Sequence, residues 1–224
     1  MTTPALAAAA AERAQHVRQR ADRPSLRRCA EHVGARATVR ASLSGVQVRE
    51  SGDTGAVEFV GRASVYEQSY EMWDMFGPYT EIVTNGAGAD SLARADLDVP
   101  LVLGHDQLRR MARTTTGTLF LTESAEGLDV RAPALDPADV DVAYITPKLR
   151  AGLIDEMSFA FRIESGQWSP DYTEYRINRY DIHRGDVAIV GYGANPYTGA
   201  SMRQPGTAPT NSRARALLEI ALAR

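Results

Sequence analysis

The chain has 224 residues, of which 44% are hydrophobic, and its 28 acidic and 25 basic residues leave a net charge of −3. This length supports one well-packed domain with terminal extensions, and the near-neutral balance argues against binding of polyanions by the whole chain. The single cysteine, Cys29, excludes an internal disulfide and a cysteine-rich zinc site.

The N-terminal segment, residues 1–45, differs in composition from the rest of the chain. Its eight arginines and three acidic residues give it a net charge of +5, which leaves −8 on the remaining residues. Alanine and arginine favour a helix, Pro24 interrupts it, and few large apolar residues are present to build a core. We therefore predict a solvated, partly helical extension. An arm that docks on an acidic partner or on nucleic acid is the alternative.

The sequence predicts neither a membrane-spanning segment nor a signal peptide. Every apolar run in the sequence is too short to span a bilayer. The alanine tract at 7–11 is also too short and too weakly apolar for the core of a signal peptide, and the arginines follow it instead of preceding it. The expectation is a soluble, intracellular protein.

The chain from residue 46 onwards carries the pattern of a β-rich domain. Apolar residues recur at nearly alternate positions over 46–65, which is typical of strands, and the same pattern predicts a strand pair at 117–122 and 127–132. An aromatic stretch, 66–79, lies between the strands at 46–65 and this strand pair. Its spacing predicts either a helical turn packed on the core or an irregular loop.

A helix is predicted after these strands. Asp136 is positioned to cap its N-terminus, acidic residues follow at its positive end, and Gly152 is a suitable stop. Apolar residues recur at helical spacing up to Leu153, and Pro147 indicates a kink or break. A polar linker at 203–212 and a short amphipathic helix at 214–224 are predicted for the last part of the sequence.

Two apolar segments each present one residue suited to acyl transfer. Val99–Leu103 is predicted as a buried strand, and His105 follows its end. In Met157–Ile163 alternate residues share a face, so Ser158 points away from the aromatic face of its strand. A serine hydroxyl needs a base to become a nucleophile, and histidine is the usual base. His105 and Ser158 lie 53 positions apart, so only a tertiary fold brings them together.

A set of motifs appears in a defined order over about residues 56–200. The set consists of Glu81-Ile82, Gly86-Ala87, His105-Asp106, Gly117-Thr118-Leu119, Gly127-Leu128, Gly152-Leu153-Ile154, Met157-Ser158-Phe159-Ala160-Phe161 and Asp186-Val187-Ala188-Ile189-Val190. Each motif alone is weak. As a set, with the serine segment downstream of a strand that ends in His-Asp, they resemble the prohead proteases of tailed bacteriophages.

The resemblance implies an α+β fold with a mainly antiparallel β-barrel core, flanked by a few helices and related to the fold of the herpesvirus assembly protease. It places a prohead-protease-like catalytic domain at residues 46–202. The segments at 1–45 and 203–224 are then helical or disordered extensions. Metal-ligand spacing and a glycine-rich phosphate loop are both missing from the sequence, so we predict no metal and no cofactor.

The resemblance also implies the catalytic residues. His105 matches the base of the family and Ser158 matches the nucleophile. The third member of the family is usually a glutamate that precedes Val-Ser, and this chain has Asp186 at that position. An aspartate can orient an imidazolium as a glutamate does, although its side chain is shorter. One alternative for this third member is His183, because the herpesvirus relatives use a second histidine in this role. The other is Asp106, which we expect to act as a structural cap in preference to an orienting carboxylate.

The function implied by the resemblance is that of a serine endopeptidase. It would cleave the scaffold, or the scaffold-like segment of the major capsid protein, and also itself. The reaction would occur inside the assembling procapsid, in the cytoplasm of the bacterial host, where the enzyme would self-associate. A procapsid assembly or scaffolding protein that does not cleave is the main alternative. A nucleic-acid-binding protein that uses residues 1–45 is a second alternative, and the acidic remainder weighs against it.

Overall fold

The computed structural model describes residues 3–29, 47–50, 55–191 and 199–200, and this part of the chain is mostly β-sheet. Its helices are α1 (Pro4–His16), α2 (Ala89–Leu92) and α3 (Val140–Arg150). Its strands are β1 (Arg28–Cys29), β2 (Gln47–Glu50), β3 (Val57–Val65), β4 (Tyr70–Trp73), β5 (Pro78–Val83), β6 (Pro100–Leu103), β7 (Arg110–Arg113), β8 (Phe120–Glu123), β9 (Gly127–Leu135), β10 (Glu156–Trp168), β11 (Glu174–Val190) and β12 (Gly199–Ala200).

The described strands form two sheets. The first has the order β1-β4-β5-β11-β6-β7, and β10 pairs with the other side of β11. The second has the order β12-β3-β9-β8, with β2 also paired to β3. The α+β class is therefore confirmed. The pairings in the described residues leave both sheets open, so the closed barrel stays a prediction. No helix in the described part of the chain is long and apolar enough to cross a membrane.

Strand β11 organises the first sheet. Residues 174–177 pair in parallel with β5, and residues 187–189 pair in parallel with β6. Strand β10 runs antiparallel along the opposite edge of β11. Residues 174–190 thus form one long strand that pairs with β5 near its start and with β6 near its end. This strand holds the end of β6 and the start of β10 on its two sides.

One main hydrophobic core takes buried side chains from both sheets. Side chains along β10 and β11 alternate between the two faces of the sheet, and those on one face enter this core. They include Met157, Val187 and Ile189, none of them more than 3% exposed. The predicted inward face of β10 is confirmed, because the two phenylalanines and the isoleucine that follow Met157 on that face pack on this core. These are Phe159, Phe161 and Ile163.

Two local predictions are wrong. The aromatic stretch at 66–79 is neither a helical turn nor a loop, because it contains β4 and the start of β5, which pair antiparallel. Tyr70 and Tyr79 are buried there. Helix α3 is capped by Asp139, whose side chain accepts hydrogen bonds from two first-turn amides, and not by Asp136. Asp136 instead accepts a hydrogen bond from the Ala138 amide in the preceding turn.

The N-terminal extension contains the predicted helix, and one of its arginines is buried. Arg13 in α1 is 0% exposed and forms a two-point ion pair with Asp74, with Nε–Oδ2 2.7 Å and Nη2–Oδ1 3.0 Å. Its guanidinium also donates to the carbonyl oxygens of Gly77, Pro78 and Tyr172. Helix α1 is therefore attached to the β-domain through a buried cation.

The Arg13–Asp74 pair predicts a large contribution of α1 to stability. Arg13→Ala is expected to lower the free energy of unfolding by about 3–5 kcal/mol, because the Asp74 carboxylate would stay buried without its partner. Urea unfolding followed by circular dichroism measures this. Arg18 is exposed on the segment that follows α1, so Arg18→Ala is the control and is expected to change stability by at most about 0.5 kcal/mol. Equal effects of the two substitutions would contradict the prediction.

Candidate active site

His105 lies in a tight turn directly after β6. The Asp106 amide donates to the Leu103 carbonyl oxygen at 3.0 Å, and Gly104 and His105 both have φ of +61°. Positive φ at both central residues is the pattern of a type I′ turn, and it is uncommon for a residue other than glycine. The Asp106 side chain accepts a hydrogen bond from the Leu108 amide, so Asp106 caps the next turn as predicted.

The buried carboxylate of Asp186 holds the ring of His105. The distance from His105 Nδ1 to Asp186 Oδ1 is 2.6 Å. The Asp186 side chain is 3% exposed and the His105 side chain is 39% exposed. Because a carboxylate accepts, Nδ1 carries the proton in this contact, and a neutral ring then has its lone pair on Nε2. This arrangement prepares Nε2 to accept a proton from another group.

Gln107 binds the second oxygen of the same carboxylate, and sequence reasoning missed this residue. Its Nε2 donates to Asp186 Oδ2 at 2.6 Å. Arg110 donates in turn to the Gln107 side-chain and backbone oxygens. Both oxygens of Asp186 therefore have partners. The only sequence signal for Gln107 is its position two residues after His105, which carries no information without the turn geometry.

A four-residue bulge in β11, residues 182–185, positions Asp186. In the register of β10 with β11, Ala160 pairs with Asp186 and Arg162 pairs with Asp181, so residues 182–185 lie opposite a single residue of β10. Gly185 lies in this bulge, where a Cβ atom would lie 1.8 Å from the Ala160 carbonyl oxygen. Only glycine fits at that point. Bulges of this kind redirect the side chains that follow them, and here the next side chain is Asp186.

Ser158 lies on the same face of the sheet as Asp186. It pairs with Ala188, and Ala160, two residues further along β10, pairs with Asp186. Directly paired residues share a face, so the Ser158 and Asp186 side chains are diagonal neighbours, roughly 7–8 Å apart at their backbones.

Ser158 lies on a face of the sheet that carries small residues, away from the main core. Val102, Ala188 and Val190 form a separate small buried cluster. Ala188 pairs with Ser158 on one side and with Val102 on the other, so the three side chains share a face of the sheet. Ser158 itself is half-buried. The serine thus points away from the main core, as the alternation of β10 predicted.

The other candidate for the third member lies elsewhere. His183 is in the bulge, where its Nδ1 accepts a hydrogen bond from the Asp98 amide at 3.3 Å. Among the described residues, the side chain bound to the His105 ring is that of Asp186. The described residues also contain no group of three or more His, Cys, Asp or Glu side chains that could hold a metal ion.

Asp181 anchors the start of the bulge. Its Oδ1 accepts hydrogen bonds from the Ser91 hydroxyl and the His183 amide, and its Oδ2 accepts one from Arg162 at 2.7 Å. Burial raises the pKa of Asp181, but these hydrogen bonds outweigh burial and lower the pKa from 3.8 to about 2.

This lowered pKa predicts a pH dependence of stability. The folded state favours the ionised carboxylate, so the stabilisation is complete above the unfolded pKa and is lost as the pH falls from about 4 to about 2. Asp181→Asn is expected to lower the free energy of unfolding by about 2 kcal/mol at pH 7 and by much less near pH 2. Chemical denaturation at both pH values measures the difference. Asp90→Asn, at an exposed carboxylate, is the control. A penalty for Asp181→Asn that is equal at both pH values would refute the assignment.

Comparison with known proteins identifies a family for this chain. A model of the caudovirus prohead serine protease family matches residues 44–213, which is most of the chain. No curated protein and no solved structure matches the chain. The matched range includes His105, Ser158 and Asp186. This chain therefore belongs to the caudovirus prohead serine protease family.

Proposed function

We propose that this chain is an active serine endopeptidase with Ser158 as nucleophile, His105 as general base and Asp186 as the carboxylate that orients the base. The observation that carries the proposal is the 2.6 Å contact between His105 Nδ1 and the buried Asp186. It selects the ring tautomer that a general base needs. The register of β10 with β11 supports the rest, because it puts Ser158 on the same face.

The reaction is acyl transfer to Ser158. His105 Nε2 takes the proton from Ser158 Oγ, which attacks the carbonyl carbon of a peptide bond. The C–N bond then breaks, and His105 gives the proton to the leaving amine. Water, deprotonated by His105, attacks the resulting ester and releases the new carboxyl end of the substrate. Asp186 stays hydrogen-bonded to Nδ1 and stabilises the imidazolium that forms in each half of the reaction.

The proposed substrate is the scaffold, or the scaffold-like segment of the major capsid protein. Membership of a prohead serine protease family supports a role in phage capsid maturation. We assign the reaction to the interior of the procapsid in the host cytoplasm, where the enzyme self-associates and also cleaves itself. An extended substrate segment pairs with an exposed strand edge, which is a common way to bind peptides.

Intact-mass measurement of co-expressed proteins tests the proposal. The wild-type chain and the Ser158→Ala variant are each expressed alone and with the neighbouring capsid protein. Shortened capsid protein, and shortened protease, are expected only with the wild type, and the new termini identify the cleavage sites. Full-length chains in every sample, combined with co-assembly into particles, would instead indicate a scaffolding protein that does not cleave.

A further inference from the structure

The carboxylate of Asp186 belongs to a chain of hydrogen bonds that begins at the protein surface. Arg110 Nη2 donates to the side-chain oxygen of Gln107 at 3.2 Å, and Gln107 Nε2 donates to Asp186 Oδ2 at 2.6 Å. Asp186 Oδ1 accepts from His105 Nδ1, also at 2.6 Å. Arg110 and Gln107 are exposed, whereas the Asp186 side chain is 3% exposed. The chain of contacts therefore connects an exposed cation to the imidazole of the proposed base.

Strand β7 and the turn before it bring Arg110 and Gln107 together. Arg110 is the first residue of β7 and pairs with Val102 of β6, so the sheet holds its backbone. Its side chain reaches back three residues, where Nε donates to the Gln107 backbone carbonyl oxygen at 2.7 Å. Together with the contact of Nη2, the planar guanidinium binds both the backbone and the side chain of Gln107. This two-point contact restricts the position of the Gln107 side chain.

The two ends of this chain determine how the amide of Gln107 is oriented. A guanidinium only donates hydrogen bonds, and an ionised carboxylate only accepts them. An amide has one donor end and one acceptor end, so Arg110 binds its oxygen and leaves the Nε2 hydrogens for Asp186. In the opposite orientation the amide oxygen would face the carboxylate, and two acceptors would be in contact. Arg110 thus selects the orientation in which Gln107 can bind Asp186.

The amide between the cation and the carboxylate also preserves the negative charge of Asp186. By comparison, Asp181, at the start of the same bulge, binds the guanidinium of Arg162 directly. A direct ion pair of that kind at Asp186 would compete with the imidazolium that forms on His105 during the reaction. The neutral side chain of Gln107 instead holds Oδ2, and the negative charge stays available to His105.

We propose that Arg110 is a positioning residue for catalysis, which acts through Gln107 to fix the rotation of the Asp186 carboxylate. In this rotation Oδ1 faces His105 Nδ1 and Oδ2 is held by the amide. The proposal rests on the proposed function, because it concerns the same base and the same carboxylate. It assigns a role to a side chain that touches neither the substrate nor the reacting atoms.

Variants at both exposed positions test the chain of contacts. Arg110→Ala removes the cation, and Arg110→Lys keeps a donor-only group that can still bind the amide oxygen. Gln107→Glu has nearly the size of the wild-type side chain, but its ionised carboxylate cannot donate to Asp186. Arg131→Ala is the matched control, because Arg131 is an exposed strand arginine of the second sheet and binds Glu58. Unfolding curves verify that each variant is folded.

Two kinds of measurement report on catalysis and on the hydrogen bond separately. Steady-state cleavage of the capsid protein separates kcat from KM, and the rate of labelling by a fluorophosphonate reports the activation of Ser158. Nuclear magnetic resonance of protein with isotope-labelled histidine detects the Nδ1–H proton of His105, which is assigned by its loss in His105→Ala. This signal reports the hydrogen bond to Asp186 independently of cleavage.

Arg110→Ala is expected to lower kcat about 2- to 10-fold, the range for one hydrogen bond, with KM unchanged. It should slow labelling by the same factor and weaken the Nδ1–H signal. Arg110→Lys should recover most of the loss, and Gln107→Glu should lose at least as much as Gln107→Ala. Because Arg110 acts through Gln107, adding Arg110→Ala to Gln107→Ala should cause no further loss. Arg131→Ala should match the wild type.

The outcomes separate the role of Arg110 from the proposed function. Wild-type rates and an unchanged Nδ1–H signal in Arg110→Ala would overturn the role of Arg110 alone. A wild-type rate in Gln107→Glu would do the same, because Gln107 would then only fill space. So would a further loss in the double variant, since Arg110 would then act by another route. Absence of both labelling and cleavage in the wild type would overturn the proposed function, and the role of Arg110 in catalysis with it.

Discussion

Ser158→Ala is expected to lower kcat by roughly 10⁴- to 10⁶-fold, because the acyl-enzyme cannot form without the hydroxyl. The fold should be retained, since Ser158 is a half-buried strand residue on the small-residue face and alanine preserves the strand. Single-turnover cleavage of the capsid substrate measures the rate, and loss of fluorophosphonate labelling identifies the nucleophile.

Ser165→Ala is the matched control for this experiment. Ser165 lies on the same strand, β10, but it is exposed and pairs with Arg179, on the far side of the bulge from Asp186. The substitution is expected to leave labelling and cleavage unchanged. Cleavage at the native rate by Ser158→Ala, or loss of labelling with Ser165→Ala, would show that the nucleophile has been assigned to the wrong residue.

Asp186→Asn is expected to lower kcat by about 10⁴-fold with little change in KM. The amide nitrogen of asparagine donates to Nδ1 of His105. The proton of a neutral ring then lies on Nε2, the atom that has to accept the proton of Ser158. The buried position of Asp186 prevents solvent from restoring the active tautomer. Steady-state kinetics over a range of pH measures the loss and separates kcat from KM.

Two neighbouring substitutions distinguish orientation of His105 from a general loss of structure. Gln107→Ala removes the second hydrogen bond of Asp186 but leaves the contact between Asp186 and His105, so a smaller loss in kcat of about 10-fold is expected. Asp106→Asn alters the carboxylate adjacent to His105, whose described contact is to the Leu108 amide, and should have little effect on kcat. If Asp106→Asn reduced activity as much as Asp186→Asn, Asp106 would become the better candidate for the third member.

Short-range patterns predicted several elements correctly. The strand around Ser158 follows from alternation of apolar and small residues, which requires only that one face be buried. Helix α3 was found from its apolar spacing, and Gly152, with φ of +65°, follows its end as predicted. The aromatic stretch at 66–79 was misread because β4 becomes a strand only by pairing with β5. Spacing within one segment does not reveal its pairing partner.

The sequence by itself determined that strands lie at Ser158 and directly before His105, and, through resemblance, the α+β class and the three candidate catalytic residues. Only the tertiary structure decided that Asp186 contacts His105 and lies on the same face of the sheet as Ser158. The bulge before Asp186 and the hydrogen bond from Gln107 depend on strand register and on contacts between distant segments. The attachment of α1 also depends on a contact between distant segments, since Arg13 and its partner Asp74 are 61 positions apart. Hydrophobic periodicity reports which face of an element is buried, whereas register and long-range pairing are set by the packing of the whole chain.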